Sequence, residues 1–345
     1  MNILIDVGHP AHVHLFANAA NIWKEHNHQV LFTIRNRKMV PELLQALQFQ
    51  YEIASTPRSG LFGQAWELAE HDWNVLKATI RFKADVLLGT SVAIAHVSRI
   101  TRAKSIVFSE DDADYVPLFR YLAYPFADGI IVPNSLRDKK TAKYHPYQGY
   151  QELAYLHPNC FIPDPTIKKE LGVAEDEQFF ILRLVSFKAY HDVGHRGLSY
   201  DAQRQIIKLL SQYGKVFISE EGEISDEFRP YQFPIPPHRI HHALYYASML
   251  ISDGQTMTAE AAVLGTPAIR CNTHVGYLSI IEELENKYGL ICSFRPDDEE
   301  VMISKINELL QMPELRNEWA RRREKMLSKK IDVTPWMVNL VENFV

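Results

Sequence analysis

With 345 residues, 46% of them hydrophobic and 23% charged, the chain is longer than one hydrophobic core usually serves, so two domains are expected. A formal net charge of -5 argues against a nucleic-acid binder, which needs an overall basic surface to neutralise phosphates. No apolar stretch approaches the ~20 residues of a bilayer span and the N-terminus enters a strand pattern at once, so a soluble cytoplasmic protein is expected, with peripheral contact at the inner face of the membrane left open.

In chain order, short apolar runs alternate with helical segments. "NILIDV" is followed by a helix through Trp23, "HQVLFTI" by a helix from Pro41, and "FQYEIA" by a longer helical stretch from Trp66 to Lys83. "ADVLLGT", "SIVFS" and "DGIIVPN" complete this half. Strands so short and apolar, separated by helices, predict a parallel sheet covered on both faces, with the ligand crevice at the carboxyl ends of the strands. After the proline-rich "HPNCFIPDPTIKKELG", a second series reads "QFFILRLVS", "GKVFISE", "HRIHH", "SMLISDG", "TPAIRCN" and "GLICSF", all taken as strands. The expected fold class is therefore α/β, with two doubly wound Rossmann-like domains, residues 1–160 and 161–330, facing across a cleft. The last segment, residues 331–345, has apolar residues at helical spacing and is expected to pack back on the first domain.

Cys160, Cys271 and Cys292 have no CxxC spacing and read as small packing residues in a reducing compartment. The basic run "RRREKMLSKK", from Arg321 to Lys330, reads either as the solvated face of a helix or as a contact for anionic head groups.

The most informative stretch is "SMLISDGQTMTAEAAVLGTPAIR". A strand runs into a small polar turn holding Asp253, Gly254, Gln255 and Thr256, a helix carries Glu260 about one turn in, and Gly265 and Pro267 end it. The backbone N–H groups of such a helix start suit a phosphate. Glu260 then either reaches a ribose hydroxyl pair or simply faces solvent, and spacing alone does not decide. In "GHPAHVHLF", His9, His12 and His14 crowd a strand-to-helix junction. They read as metal ligands, as turn and packing residues, or, for His12, as a general base or sugar-contacting donor. A metal site lacks a matching acidic or cysteine cluster, and packing is favoured for His14. An imidazole titrates near working pH, which suits it to take a proton from an attacking hydroxyl.

A second cluster, "FKAYHDVGHRG", includes His191, Asp192 and His195, with Gly194 favouring a loop over a helix. It is either a solvated polar loop or a lid over a diphosphate, with Arg183, Ser186 or Lys188 contributing cationic or polar contacts.

These stretches resemble known proteins. The turn, the glutamate and the closing Gly-x-Pro resemble the nucleotide-binding segment of GT-B-fold proteins, particularly the non-hydrolysing UDP-N-acetylglucosamine 2-epimerases and the N-acetylglucosaminyltransferase that makes lipid II. The resemblance implies that Gly254, Gln255 and Thr256 form the phosphate turn, that Glu260 binds ribose, and that Ile240 and His241 lie near the base. The turn departs from the pattern by reading Gly-Gln-Thr in place of a Ser-Gly pair. "KADVLLGTSVAIAHVSRITRAKSIVFSEDDADYVP" resembles the transferase segment that ends in a polar strand terminus, which implies Glu110 and Asp111 at the cleft mouth. "GHPAHVH" resembles its first glycine-rich loop and aligns His12 with the histidine beside the sugar, though with fewer glycines. Over nearly its full length, through "DVGHPAHVHLF", "GYQELAYLHPNCFIPDP" and "ILRLVSFKAYHDVGHRGLS", the chain resembles the domain-of-unknown-function 354 family of bacteria and archaea.

The resemblance implies an acceptor-side first domain, a nucleotide-binding second domain, and a role in surface-polysaccharide assembly. The expected activity is transfer of a sugar from a nucleotide-sugar donor, UDP-linked, to a glycan or glycolipid acceptor. His12 and Glu110 would be catalytic, His9, His14, Asp111 and His191 would contact acceptor or sugar, and neither metal nor cofactor would be required. Two alternatives stand beside it: a UDP-sugar 2-epimerase or hydrolase, and a non-catalytic nucleotide-sugar-binding protein. An epimerase needs a His-Arg-Arg-Glu-like segment where this chain has "RLVSFKAYHD".

Overall fold

The computed structural model describes residues 1–137, 141–185, 196–220, 222 and 224–344. The chain divides into two compact units, Met1–Cys160 with Ile331–Val345, and Phe161–Lys330.

The first unit is built on seven strands: β1 (Asn2–Val7), β2 (Gln29–Arg35), β3 (Tyr51–Ser55), β4 (Val86–Gly89), β5 (Lys104–Phe108), β6 (Gly129–Pro133) and β7 (Tyr144–Tyr147). They form one parallel sheet in the order β3-β2-β1-β4-β5-β6-β7. Central strands covered on both faces need side chains that are apolar throughout, and β4 is buried at every residue. Ile3, Leu4 and Ile5 of β1 are fully buried beside it. Where β1 and β4 meet, Gly89 is required, because a Cβ there would lie 2.3 Å from the Asp6 carbonyl oxygen.

The helix Pro10–Glu25 starts with proline at its first position, where the missing N–H costs nothing, and the His9 ring accepts from Ala11 N at 3.2 Å as its cap. Near the C-terminus, the helix Val333–Glu342 is capped by Asp332 and buries Val333, Met337, Val338 and Val341. It packs against Pro10–Glu25, and Thr334 Oγ1 donates to the Ala154 carbonyl at 2.6 Å.

The second unit has five parallel strands, β8 (Phe179–Leu184), β9 (Lys215–Glu220), β10 (Met249–Ser252), β11 (Ala268–Cys271) and β12 (Ile291–Phe294), in the order β12-β11-β10-β8-β9. Two elements differ from the sequence reading. "HRIHH" is not a strand: Pro237–Arg239 form a 3₁₀ turn and Ile240–Tyr246 a helix. Pro237 fixes a helical φ at the start of this segment, and His241, Ala243 and Leu244 then turn one face inward. The strand β7, "YHPY", was not expected, because Pro146 breaks the strand pattern. A proline is tolerated there since β7 lies at the sheet edge. Among the described residues no helix is long and apolar enough to cross a membrane.

Candidate functional site

In each sheet the strand order reverses at one point, between β1 and β4 in the first unit and between β10 and β8 in the second. Loops leaving adjacent strands in opposite directions open a crevice at the carboxyl ends, and ligands bind in such crevices.

At the first switch point His12 is buried and held on both ring nitrogens. Its Nε2 donates to Glu110 Oε1 at 3.1 Å, and its Nδ1 lies 2.7 Å from Thr90 Oγ1. The three residues follow β1, β5 and β4 respectively, so the sheet itself brings them together. Burial would raise the Glu110 carboxyl, but the charge and hydrogen bond of His12, then His9, hold it down at about 2. The adjacent Asp111 goes the other way. Desolvation, then the charges of Glu110 and Asp112, push it up to about 8. His9 caps its helix with its ring 5.7 Å from that of His12, whereas His14 stacks on Tyr155 with ring centres 5.4 Å apart. His14 therefore packs against the short helix Leu153–Leu156.

Behind this group lies a buried polar chain that the sequence did not disclose. Asp6, at the end of β1, accepts from Thr33 Oγ1 at 2.6 Å and from His71 Nε2 at 2.9 Å, and His71 Nδ1 lies 2.7 Å from Ser55 Oγ. Burial disfavours the charged form of both groups, yet the pairing wins: Asp6 is lowered and His71 raised from their ordinary values. Its one signal was an aspartate inside an otherwise apolar strand.

At the second switch point Asp253 Oδ1 accepts from Val185 N at 2.8 Å, tying the loop after β10 to that after β8. The Asp253 carbonyl accepts from Asn272 Nδ2 at 2.8 Å, and Gly254 N donates to Ser252 Oγ at 2.9 Å. Thr258 Oγ1 donates to the Gly254 carbonyl at 2.6 Å. A turn so fully bonded holds the start of the helix Thr256–Leu264 in one place. Gln255 precedes that helix without capping it, because its side chain accepts from Arg270 Nη1 at 2.6 Å. Gly265 ends the helix in the left-handed region, φ +81°. Desolvation, opposed by the Val185 N–H and Arg183, pushes the Asp253 carboxyl up to about 7.

Glu260 does not face solvent. It is 5% exposed, and its Oε1 accepts from His241 Nε2 at 3.0 Å. Ile240 opens the helix that carries His241, and Arg183 donates from Nη1 to Ser219 Oγ at 2.9 Å. Ser186 and His191, with Lys188, Asp192 and His195, lie outside the described residues. Among the described residues no three His, Cys, Asp or Glu side chains converge as a metal set. Thr90, Asn272 and Arg270 were missed in the sequence, since none belongs to a short motif of its own, whereas Asp253 was read as part of the polar turn.

A family profile described as a protein of unknown function, DUF354, matches residues 1–343. The chain belongs to the DUF354 family. An uncharacterized protein of Methanocaldococcus jannaschii is 23% identical to this DUF354 chain over 296 residues, covering 79% of the chain and 82% of the relative. Among solved structures, the UDP-GlcNAc 2-epimerase of Neisseria meningitidis bound to UDP-GlcNAc is similar at a TM-score of 0.67 and 12% identity, over 99% of this chain and 100% of that one. Spinosyn forosaminyltransferase SpnP is similar at a TM-score of 0.66 and 14% identity, again over 99% and 100%. At such identities the likeness concerns the fold: this DUF354 protein is an α/β protein with the GT-B-like pair of Rossmann-like units.

Proposed function

We propose that the protein is a nucleotide-sugar enzyme that transfers the sugar of a UDP-linked donor to a glycan or glycolipid acceptor in surface-polysaccharide assembly. The second unit holds the nucleotide and the first supplies the acid–base chemistry. The diphosphate sits on the turn at Gly254 and takes the backbone N–H groups of Gln255 and Thr256, and Glu260, oriented by His241, takes the ribose hydroxyls. Arg183 and Ser186 add to the diphosphate site, Ile240 lies toward the base, and the acceptor or sugar meets His9, His14, Asp111 and His191.

The observation that carries this reading is the two-sided fixing of His12. Glu110 keeps the ring proton on Nε2, so Nδ1, beside Thr90, is the nitrogen that accepts. In the transfer step the acceptor hydroxyl gives its proton to Nδ1 as its oxygen bonds to the anomeric carbon. The bond from that carbon to the diphosphate oxygen breaks, and the nucleoside diphosphate leaves with the electron pair. Glu110 stabilises the imidazolium, as an orienting carboxylate does in a triad. Helix N–H groups and cationic side chains suffice to stabilise the leaving group, so neither a metal nor a cofactor is required.

The test is calorimetric titration with UDP, GDP, CMP and TDP, followed by donor turnover with and without candidate glycolipid acceptors. Selective binding of one nucleotide that Glu260→Ala weakens supports the assignment, and binding of none of the four removes it.

One observation favours a second reading, epimerisation or hydrolysis of the nucleotide sugar itself. Glu110 and Asp111 are adjacent carboxyls pushed in opposite directions, which leaves Asp111 protonated at neutral pH and so supplies an acid beside the His12 base. Release of UDP or inversion at the sugar without any acceptor would select this reading over transfer.

A further inference from the structure

The helix Gly60–Phe82 in the first unit is inverted in character. The face it buries carries Glu67, His71, Val75, Ala78 and Thr79. Glu67 there is paired with Arg35 and accepts from Arg58 N at 2.9 Å, and His71 is paired with Asp6. The face turned to solvent is the apolar one: Phe62 is 95% exposed, Trp66 65%, Trp73 58% and Ile80 64%. With successive residues turned by about 100°, Phe62, Trp66, Ala69, Trp73, Leu76 and Ile80 fall within roughly 80° of arc, opposite the buried face. The stripe runs straight for ~27 Å at 1.5 Å per residue. Large contiguous exposed apolar surface on a folded protein marks a contact for something else.

We propose that this stripe is the interface between two copies of the chain, packed with their Gly60–Phe82 helices antiparallel about a two-fold axis near residue 71. Three properties select a second copy. Fully exposed aromatic side chains cover roughly 150–250 Å² each, so the exposed fractions of these three with that of Ile80 supply on the order of 500 Å², the larger part of the ~800 Å² that each subunit contributes to a standard interface. The stripe is also self-complementary. Reflection of the numbering about 71 sets Phe62 against Ile80, Trp66 against Leu76, and Trp73 against the small Ala69, as an isologous contact demands. Finally, the flanks are not those of a membrane-binding helix, whose polar face is rich in free lysine and arginine. Here Glu70 is paired with Arg58 and Asp72 with His96, and the chain carries a net charge of -5.

The test is sedimentation velocity of the full chain at micromolar concentration. The wild type should sediment at twice the chain mass, and Phe62→Glu and Ile80→Lys should each sediment as monomers with unchanged circular dichroism, since both positions are exposed. Mixing the two variants should restore the dimer, because residue 62 of one copy faces residue 80 of the other. A monomeric wild type overturns the proposal, whether or not it co-sediments with vesicles containing anionic lipid. A wild-type dimer that both variants retain, or variants that do not complement each other, overturns this interface and this register.

Discussion

Glu260 and His241 share a hydrogen bond of 3.0 Å between side chains that are both buried. A carboxylate held this way cannot drift, so it is prepared to meet a fixed pair of hydroxyls. Glu260→Ala should weaken UDP binding by roughly 10- to 100-fold, the worth of a charged hydrogen bond. It should also lower unfolding stability by ~1–3 kcal/mol, since the buried His241 loses this partner. Glu260→Gln retains an oxygen to accept from His241, so it should recover most of the stability and less of the affinity. Titration calorimetry and urea denaturation on both variants separate the two effects. Equal recovery of both would mean that Glu260 acts only in packing.

The His12–Glu110 pair predicts a different pattern. His12→Gln and Glu110→Gln should lower turnover by ~10²–10⁴ while leaving nucleotide affinity within a factor of about two, because the proposed nucleotide contacts lie in the other unit. The folded Glu110 pKa of about 2 lies below its ordinary 4.5, so the pair contributes stability above pH 4.5 that is lost as pH falls toward 2. Glu110 therefore stays ionised through the neutral range. Loss of nucleotide binding in Glu110→Gln would show that the change is structural and not catalytic.

Two carboxyls give the opposite slope. Asp253 keeps its proton up to about 7 when folded, against 3.8 ordinarily, and Asp111 keeps its own up to about 8. Between those limits the native state binds more protons than the unfolded chain, so their contribution is complete below pH 3.8 and is lost as pH rises through 7 and 8. Urea midpoints should fall from pH 5 to pH 8.5. In Asp253→Asn the part of the fall between pH 5 and pH 7 should shrink, by up to ~3 kcal/mol on the conversion of 1.36 kcal/mol per pKa unit. An unchanged pH profile in that variant would remove Asp253 as its source.

Much of the fold was legible because central parallel strands must be apolar on both faces, and "NILIDV" and "VLLG" meet that demand. The elements that escaped carry proline or histidine in misleading places. β7 hides behind Pro146, and the Ile240 helix resembles a strand only until Pro237 is given its helical φ. The site was legible where a strand, a turn and a helix follow one another in sequence, as at Gly254 to Glu260 and at His9 to His12. It was illegible where the sheet brings distant residues together: Thr90 lies 78 residues from His12, and His71 lies 65 from Asp6. No local pattern encodes such a pairing, because it is set by strand order.

Gly89 ties strand order to the site most directly. It is the last residue of β4, paired with Asp6 of β1, and Thr90 follows it onto the His12 ring. In Gly89→Ala the added methyl would lie 2.3 Å from the Asp6 carbonyl oxygen, a backbone atom that cannot rotate away, so the two strands must part. Overpacking of this kind costs ~1–3 kcal/mol, which a urea titration would detect as a lower midpoint. Because Asp6 and Thr90 both move with the strands, turnover should fall even at temperatures where the variant is fully folded. A variant that loses stability but keeps wild-type turnover would show that the Thr90–His12 contact is not needed for the chemistry.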